Sequence, residues 1–179
     1  MTVTEVIAKR RSCRRYRSEP VAREHVQALL EAARLAPSAC NRQPWRFAVV
    51  TEEARRRAVL RKGLRAGILM RWAEEAPVLV VIGMVRSLTT HRLAVLFSGV
   101  DYPWIDIGIA GEHLVLQAEE LGLGTCWIGW VNPSALRRVL GWPRTGYPAA
   151  IITVGHPADG APPAPTPRKP LTEIAEWVS

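Results

Sequence analysis

A chain of 179 residues with 48% hydrophobic and 22% charged content is long enough to bury a substantial core and reads as one folded domain, not a disordered or fibrous one. Its net charge of +8 rests on arginine, since Lys9, Lys62 and Lys169 are the only lysines, and the planar guanidinium fork suits anionic partners. Cys13, Cys40 and Cys126 form no CxxC pair and His25, His91, His113 and His156 show no metal-ligand spacing, so neither a disulfide framework nor a metal site is expected.

The opening MTVTEVIAKRRS lacks the apolar run of a signal peptide. No stretch approaches the ~20 apolar residues that span a bilayer. Both features predict a cytoplasmic protein with no membrane partner.

In chain order, Thr2 to Arg11 reads as a short helix. VAREHVQALLEAARLAP places Val26, Leu29, Leu30, Ala33 and Ala36 on one stripe, an amphipathic helix ended by Pro37. WRFAVVT (45–51) is a strand. EEARRRAVLRKGLRAGILMRWAEEA is helical with a break at Gly63 or Gly67, and PVLVVIGM (77–84) is a short, β-branched, buried strand. Residues 86–103 carry no clear pattern.

PWIDIGIAGEHLVLQAEELGLG repeats Trp104, Ile107, Gly111, Leu114, Ala118 and Leu121 at helical spacing, and Ile105, Ile109 and Leu116 form a second apolar strip. A helix apolar around so much of its girth is surrounded by protein, as the centre of a core or as half of a subunit interface. GTCWIGWV and YPAAIITVG read as strands joined through the short helix PSALRRVLG. The prolines of HPADGAPPAPTPRKPL, at 157, 162, 163, 165, 167 and 170, exclude helix and central strand and predict an extended arm. Beyond it, LTEIAEWVS holds Leu171, Ile174 and Trp177, an apolar stripe that needs a docking surface. This divides the chain into a domain over 1–155 and an arm over 156–179 that reaches across another subunit.

Two segments bear chemistry. RRSCRRYRSEPV packs five arginines into the eight positions 10–17; a nucleic-acid patch, a solvated face and a cradle for one phosphorylated ligand all fit that composition. APSACNRQPWRF brings Ser38, Asn41 and Gln43 into a loop stiffened by Pro37 and Pro44. Such side chains both donate and accept hydrogen bonds, which suits a sugar-alcohol chain or a flat heterocycle and equally suits turn capping.

RRSCRRY, APSACNRQPWRF, DIGIAGEHLVLQAEELGLGTCWIG and PRKPL occur in that order. The series resembles the nitroreductase-like family of FMN-dependent oxidoreductases over most of the chain. The resemblance implies an α+β fold with a mixed sheet flanked by helices, an intertwined homodimer with exchanged C-terminal arms, and one FMN at each interface seam.

By that resemblance Arg10, Arg11 and Ser12 hold the FMN phosphate together with Arg168, through charge-assisted hydrogen bonds to a dianion. Arg14 reaches the pyrimidine edge, where a cation stabilises the reduced ring and raises its potential. Pro37, Ser38, Asn41 and Gln43 contact ribityl or ring from the opposite subunit. Backbone at Trp127, Ile128 and Gly129 lies against the ring nitrogen that receives hydride, although as strand residues Trp127 and Ile128 also suit a core. Longer relatives add a polar or basic contact between the second helix and second strand; Arg71 is a candidate without support.

No general acid or base is required, because the cofactor performs the hydride step. The implied reaction takes hydride from NAD(P)H as co-substrate and passes it to an electron-poor small molecule, nitroaromatic or quinone, by a ping-pong mechanism. Relatives with other chemistry on this scaffold, a dimethylbenzimidazole synthase or a reductive dehalogenase, are the alternative. A basic nucleic-acid-binding module has only the charge behind it, with no recognised motif.

Overall fold

The computed structural model describes residues 1–85, 99–158 and 166–178. Its centre is a four-stranded sheet of β1 (Trp45–Val50), β2 (Val78–Val85), β3 (Gly124–Ile128) and β4 (Gly146–Gly155), ordered β1-β2-β4-β3. Each neighbouring pair of these strands is antiparallel. The mixed character expected of the sheet rests on an isolated parallel bridge between Ser12 and Thr125 at the outer edge of β3.

Helices cover both faces, which is why β2 is buried along all but its last residue. Successive strand residues point to opposite faces. Val78, Val80, Ile82 and Met84 pack with α2 (Arg23–Arg34) and the long α5 (Tyr102–Glu120). Leu79 and Val81 pack instead with α3 (Glu53–Gly63), α4 (Arg71–Glu74) and α6 (Pro133–Leu140). α2 buries Val26, Leu29 and Ala33, the stripe read from its sequence, and stops ahead of Pro37.

α1 (Val3–Lys9) starts on a capping box in which Thr2 and Glu5 exchange side-chain and backbone hydrogen bonds. It ends before Arg11, earlier than its sequence suggests, because Arg10 turns to φ −51°, ψ 130°. That turn frees the next residues to run beside β3. The 52–76 stretch breaks as expected: α3 ends at Gly63, and Gly67 adopts φ 81° before α4. β3 stops at Ile128, short of the predicted 124–131. There the Val131 N–H donates to the Gly129 carbonyl at 2.8 Å and Val131 bridges to Leu64.

α5 is buried along most of its apolar girth and open at its N-terminal end. Ile107, Leu114 and Ala118 are in the core, whereas Ile105 stays 50% and Trp104 41% exposed. Of the two roles read from the sequence, the core centre is the one its buried residues fill. The tail carries α7 (Leu171–Ile174) with Leu171, Ile174 and Trp177 exposed, Trp177 to 98%. Among the described residues of its own chain this stripe finds no cover. Of the unassigned 86–103, residues 86–98 lie outside the described residues.

Candidate functional site

The arginine-rich segment is laid along the open edge of β3. Ser12 bridges Thr125, and the Cys13 N–H donates to the Thr125 carbonyl at 2.8 Å. Gly124 makes this close approach possible, since a Cβ there would sit 2.7 Å from Cys13 Sγ. Arg10 and Arg14 then flank the edge on opposite faces of the sheet. Arg10 reaches Glu112 of α5, Nε to Oε1 at 3.9 Å, while Arg14 lies 5.9 Å from the Trp72 ring centre on the α4 side. A part-exposed ion pair of that length contributes only about 0–1 kcal/mol, so Arg10 remains open to a stronger anion. Arg11 turns back on α1, donating to the carbonyls of Ala8 and Arg10 at 2.7 and 2.8 Å.

The remaining β3 positions divide by alternation. Trp127 turns to the α5 side, where it lies over Gly111. Ile128 is buried in the α3–α6 core. Gly129 is exposed, and a side chain added there would meet nothing within 4 Å. Open space thus lies beside backbone at the end of the arginine-flanked strand.

The loop residues sit elsewhere. Ser38 Oγ accepts from the Gln43 N–H at 2.9 Å, and Gln43 Nε2 donates to Asn41 Oδ1 at 3.0 Å; Pro37 is exposed beside them. Cys40, Asn41 and Gln43 all have positive φ, at 52°, 53° and 49°. Residues of these types held in the left-handed region mark stored strain, which concentrates at functional sites. The loop leads straight into β1, at the opposite edge of the sheet from β3. Arg168 is exposed on the tail, donating to the Pro167 carbonyl. The structure therefore sets Arg10, Ser12, Arg14 and Trp127–Gly129 along the β3 edge and keeps the 37–43 loop apart.

A sequence profile described as Nitroreductase family matches residues 7–156. The chain belongs to the nitroreductase family. A protein named NADH dehydrogenase from Thermus thermophilus is 31% identical over 195 residues, covering 94% of this chain and 92% of its own. One named FMN reductase (NAD(P)H) from Bacillus subtilis is 31% identical, covering 96% of this chain and 72% of its own. A crystal structure of a nitroreductase family protein from Clostridium difficile, 29% identical, superposes with a TM-score of 0.79 over 100% of this chain and 99% of that one.

This nitroreductase-family chain also places residues at the site that its sequence did not single out. Arg65 N–H donates to the Trp130 carbonyl at 3.0 Å and its Nε to the Val131 carbonyl at 3.4 Å. It is thereby held beside the end of β3. Trp72 and Glu112 are the partners of the two flanking arginines. For Glu112 a signal existed: it is a charge on the half-exposed side of an apolar helix. For Arg65 the signal was only the basic contact expected between the second helix and second strand, and its placement follows from the Leu64–Val131 bridge. Burial raises the thiol pKa of Cys126 above the usual range, although Arg14 and a hydrogen bond from Ser12 pull the other way. Among the described residues no cluster of His, Cys, Asp or Glu could hold a metal, and no helix is long and apolar enough to cross a membrane.

Proposed function

We propose that the protein is an FMN-dependent oxidoreductase taking hydride from NAD(P)H and passing it to an electron-poor organic acceptor of nitroaromatic or quinone type. The observation that carries this reading is the Ser12–Thr125 bridge, which aligns an arginine-flanked segment with the strand edge that opens at Gly129. The residue types fit the group: the Arg10 guanidinium and Ser12 hydroxyl for a phosphate dianion, a second guanidinium at Arg14 for the ring edge, open backbone for a flat ring, and polar side chains for a ribityl chain.

Bound FMN supplies the hydride chemistry, serving donor and acceptor in turn in a ping-pong cycle. This chain's residues bind and orient. Arg10 and Ser12 would hold the phosphate, joined by Arg168 from the arm and by Arg11 once its guanidinium leaves the α1 carbonyls to which it donates here. Arg14 supplies positive charge at the pyrimidine edge, with Arg65 the basic residue nearest the end of β3. Backbone at Trp127, Ile128 and Gly129 meets the central ring, and Gly129 leaves that approach unobstructed.

The reading requires a homodimer. The 37–43 loop and the arginine segment lie at opposite edges of the sheet, four strand spacings or about 19 Å apart. Pro37, Ser38, Asn41 and Gln43 therefore serve the flavin of the second copy. The exposed Trp104 and Ile105 at the start of α5 supply the apolar contact, and the 156–179 arm crosses to the partner. The visible absorption spectrum of the purified protein tests the proposal. A flavin chromophore that bleaches with NADH or NADPH under argon, and recovers with a nitroaromatic, is expected. A protein that stays colourless after FMN is added overturns it.

A further inference from the structure

Asp106 is a buried acid in the second turn of α5, only 4% exposed. Its Oδ1 accepts the Ala39 N–H at 3.1 Å. Ala39 opens the short turn Ala39–Asn41, directly ahead of the positive-φ residues Cys40, Asn41 and Gln43. Three such residues within four positions persist only where surrounding contacts over-determine them. The bonds of Ser38 to Gln43 and of Gln43 to Asn41 are internal to the loop and would survive its moving as a unit. The bond to Asp106 joins it to the long helix. A buried carboxylate is costly unless it is hydrogen-bonded, so the acid and the loop amide hold each other.

We propose that Asp106 is a positioning residue of the candidate site: through the Ala39 N–H it fixes where the loop presents Asn41 and Gln43 to a ligand. Its consequence for FMN rests on the reading above; the anchoring itself does not. Two substitutions remove the bond from its two ends. Asp106→Ala deletes the acceptor. Ala39→Pro deletes the donor and leaves the acid in place. Ser38 before it is extended at φ −144°, ψ 154°, as the residue ahead of a proline prefers, and the first residue of a helical turn accepts proline. Asp106→Asn keeps an amide oxygen at the same position and serves as rescue.

The measurements are FMN affinity by fluorescence quenching and backbone amide exchange over 37–43, with circular dichroism to establish folding. Asp106→Ala and Ala39→Pro should each weaken FMN binding roughly tenfold or more and speed exchange in the loop, with Asp106→Asn close to the native protein in both. Native exchange and affinity in Asp106→Ala would overturn the proposal. So would a harmless Ala39→Pro beside a damaging Asp106→Ala, or an Asp106→Asn as damaged as the alanine variant. If the native protein binds no FMN, the flavin reading falls, while the exchange contrast among the three variants still decides the anchor.

Discussion

The indole of Trp127 occupies the space over Gly111, so that a Cβ at position 111 would overlap the ring. This contact locks the outermost strand of the sheet to the helix that runs across it. Alanine is the better helix former by about 1 kcal/mol, yet overpacking typically costs about 1–3 kcal/mol. Gly111→Ala should therefore lower the melting temperature despite the gain in propensity. It should also weaken FMN binding, since Trp127 must move and Gly129 lies two residues on. An unchanged melting curve would mean that the ring yields freely.

Tyr16 is buried, its hydroxyl donating to the Cys13 carbonyl at 2.7 Å and lying 2.7 Å from Thr153 Oγ1. Burial is the main cause that pushes its phenol far above the ordinary value of about 10. A proton held more tightly in the fold than in the unfolded chain contributes stability that is complete below pH ~10 and is lost as pH rises beyond it. Denaturant titrations should show native stability falling more steeply above that pH than stability of Tyr16→Phe. At neutral pH the variant should be weaker by about 1 kcal/mol. Parallel pH profiles would show that the phenol ionises as readily folded as unfolded.

Thiol reactivity should sort the cysteines. Burial raises the pKa of both Cys13 and Cys126, and the thiolate is the reactive form. Cys40 is exposed in the strained loop. Alkylation of the native protein near pH 8, followed by peptide mass mapping, should label Cys40 first; Cys126 should react only on unfolding. Early labelling of Cys126 would show that the edge of β3 opens in solution.

Removing either flanking arginine should affect FMN differently. Arg10→Ala should reduce affinity about 10- to 100-fold, the scale of a lost hydrogen bond to a charged group, and flatten the salt dependence of binding. Arg14→Ala should act mainly on the reduction potential, making it more negative, with a smaller loss of affinity. Spectroelectrochemical titration separates the two, and matching effects from both substitutions would contradict the assigned division of roles.

The exposed apolar first turn of α5 predicts assembly. Ile105 is 50% exposed, and a glutamate there would bury an unpaired charge in any apolar interface. Ile105→Glu should convert a dimer to a monomer by analytical ultracentrifugation and lose FMN with it, because the loop and the arginine segment would no longer meet. A folded monomer that retains FMN would show that one chain completes the site.

Much of the fold was legible because it rests on local periodicity. The α2 stripe of Val26, Leu29 and Ala33, the buried run of β2 and the breaks at Gly63 and Gly67 each follow from spacing or backbone freedom within a few residues. The early end of α1 at Arg10 and the early end of β3 at Ile128 did not. Both are set by pairing with distant backbone, Ser12 with Thr125 and Val131 with Leu64, and pairing across such separations leaves no local mark.

The candidate site divides in the same way. Composition alone marked the arginine segment and the polar loop as chemistry-bearing, while the end of β3 and the flavin reading of all three came only from the family resemblance. The tertiary structure decided which neighbours they have: Glu112 for Arg10, Trp72 for Arg14, Arg65 near the end of β3, and Asp106 for the loop. It also set the two halves of the site at opposite sheet edges. Side-chain chemistry is a property of the residue and is written in the chain, whereas distance between residues far apart in the chain exists only once the sheet has assembled.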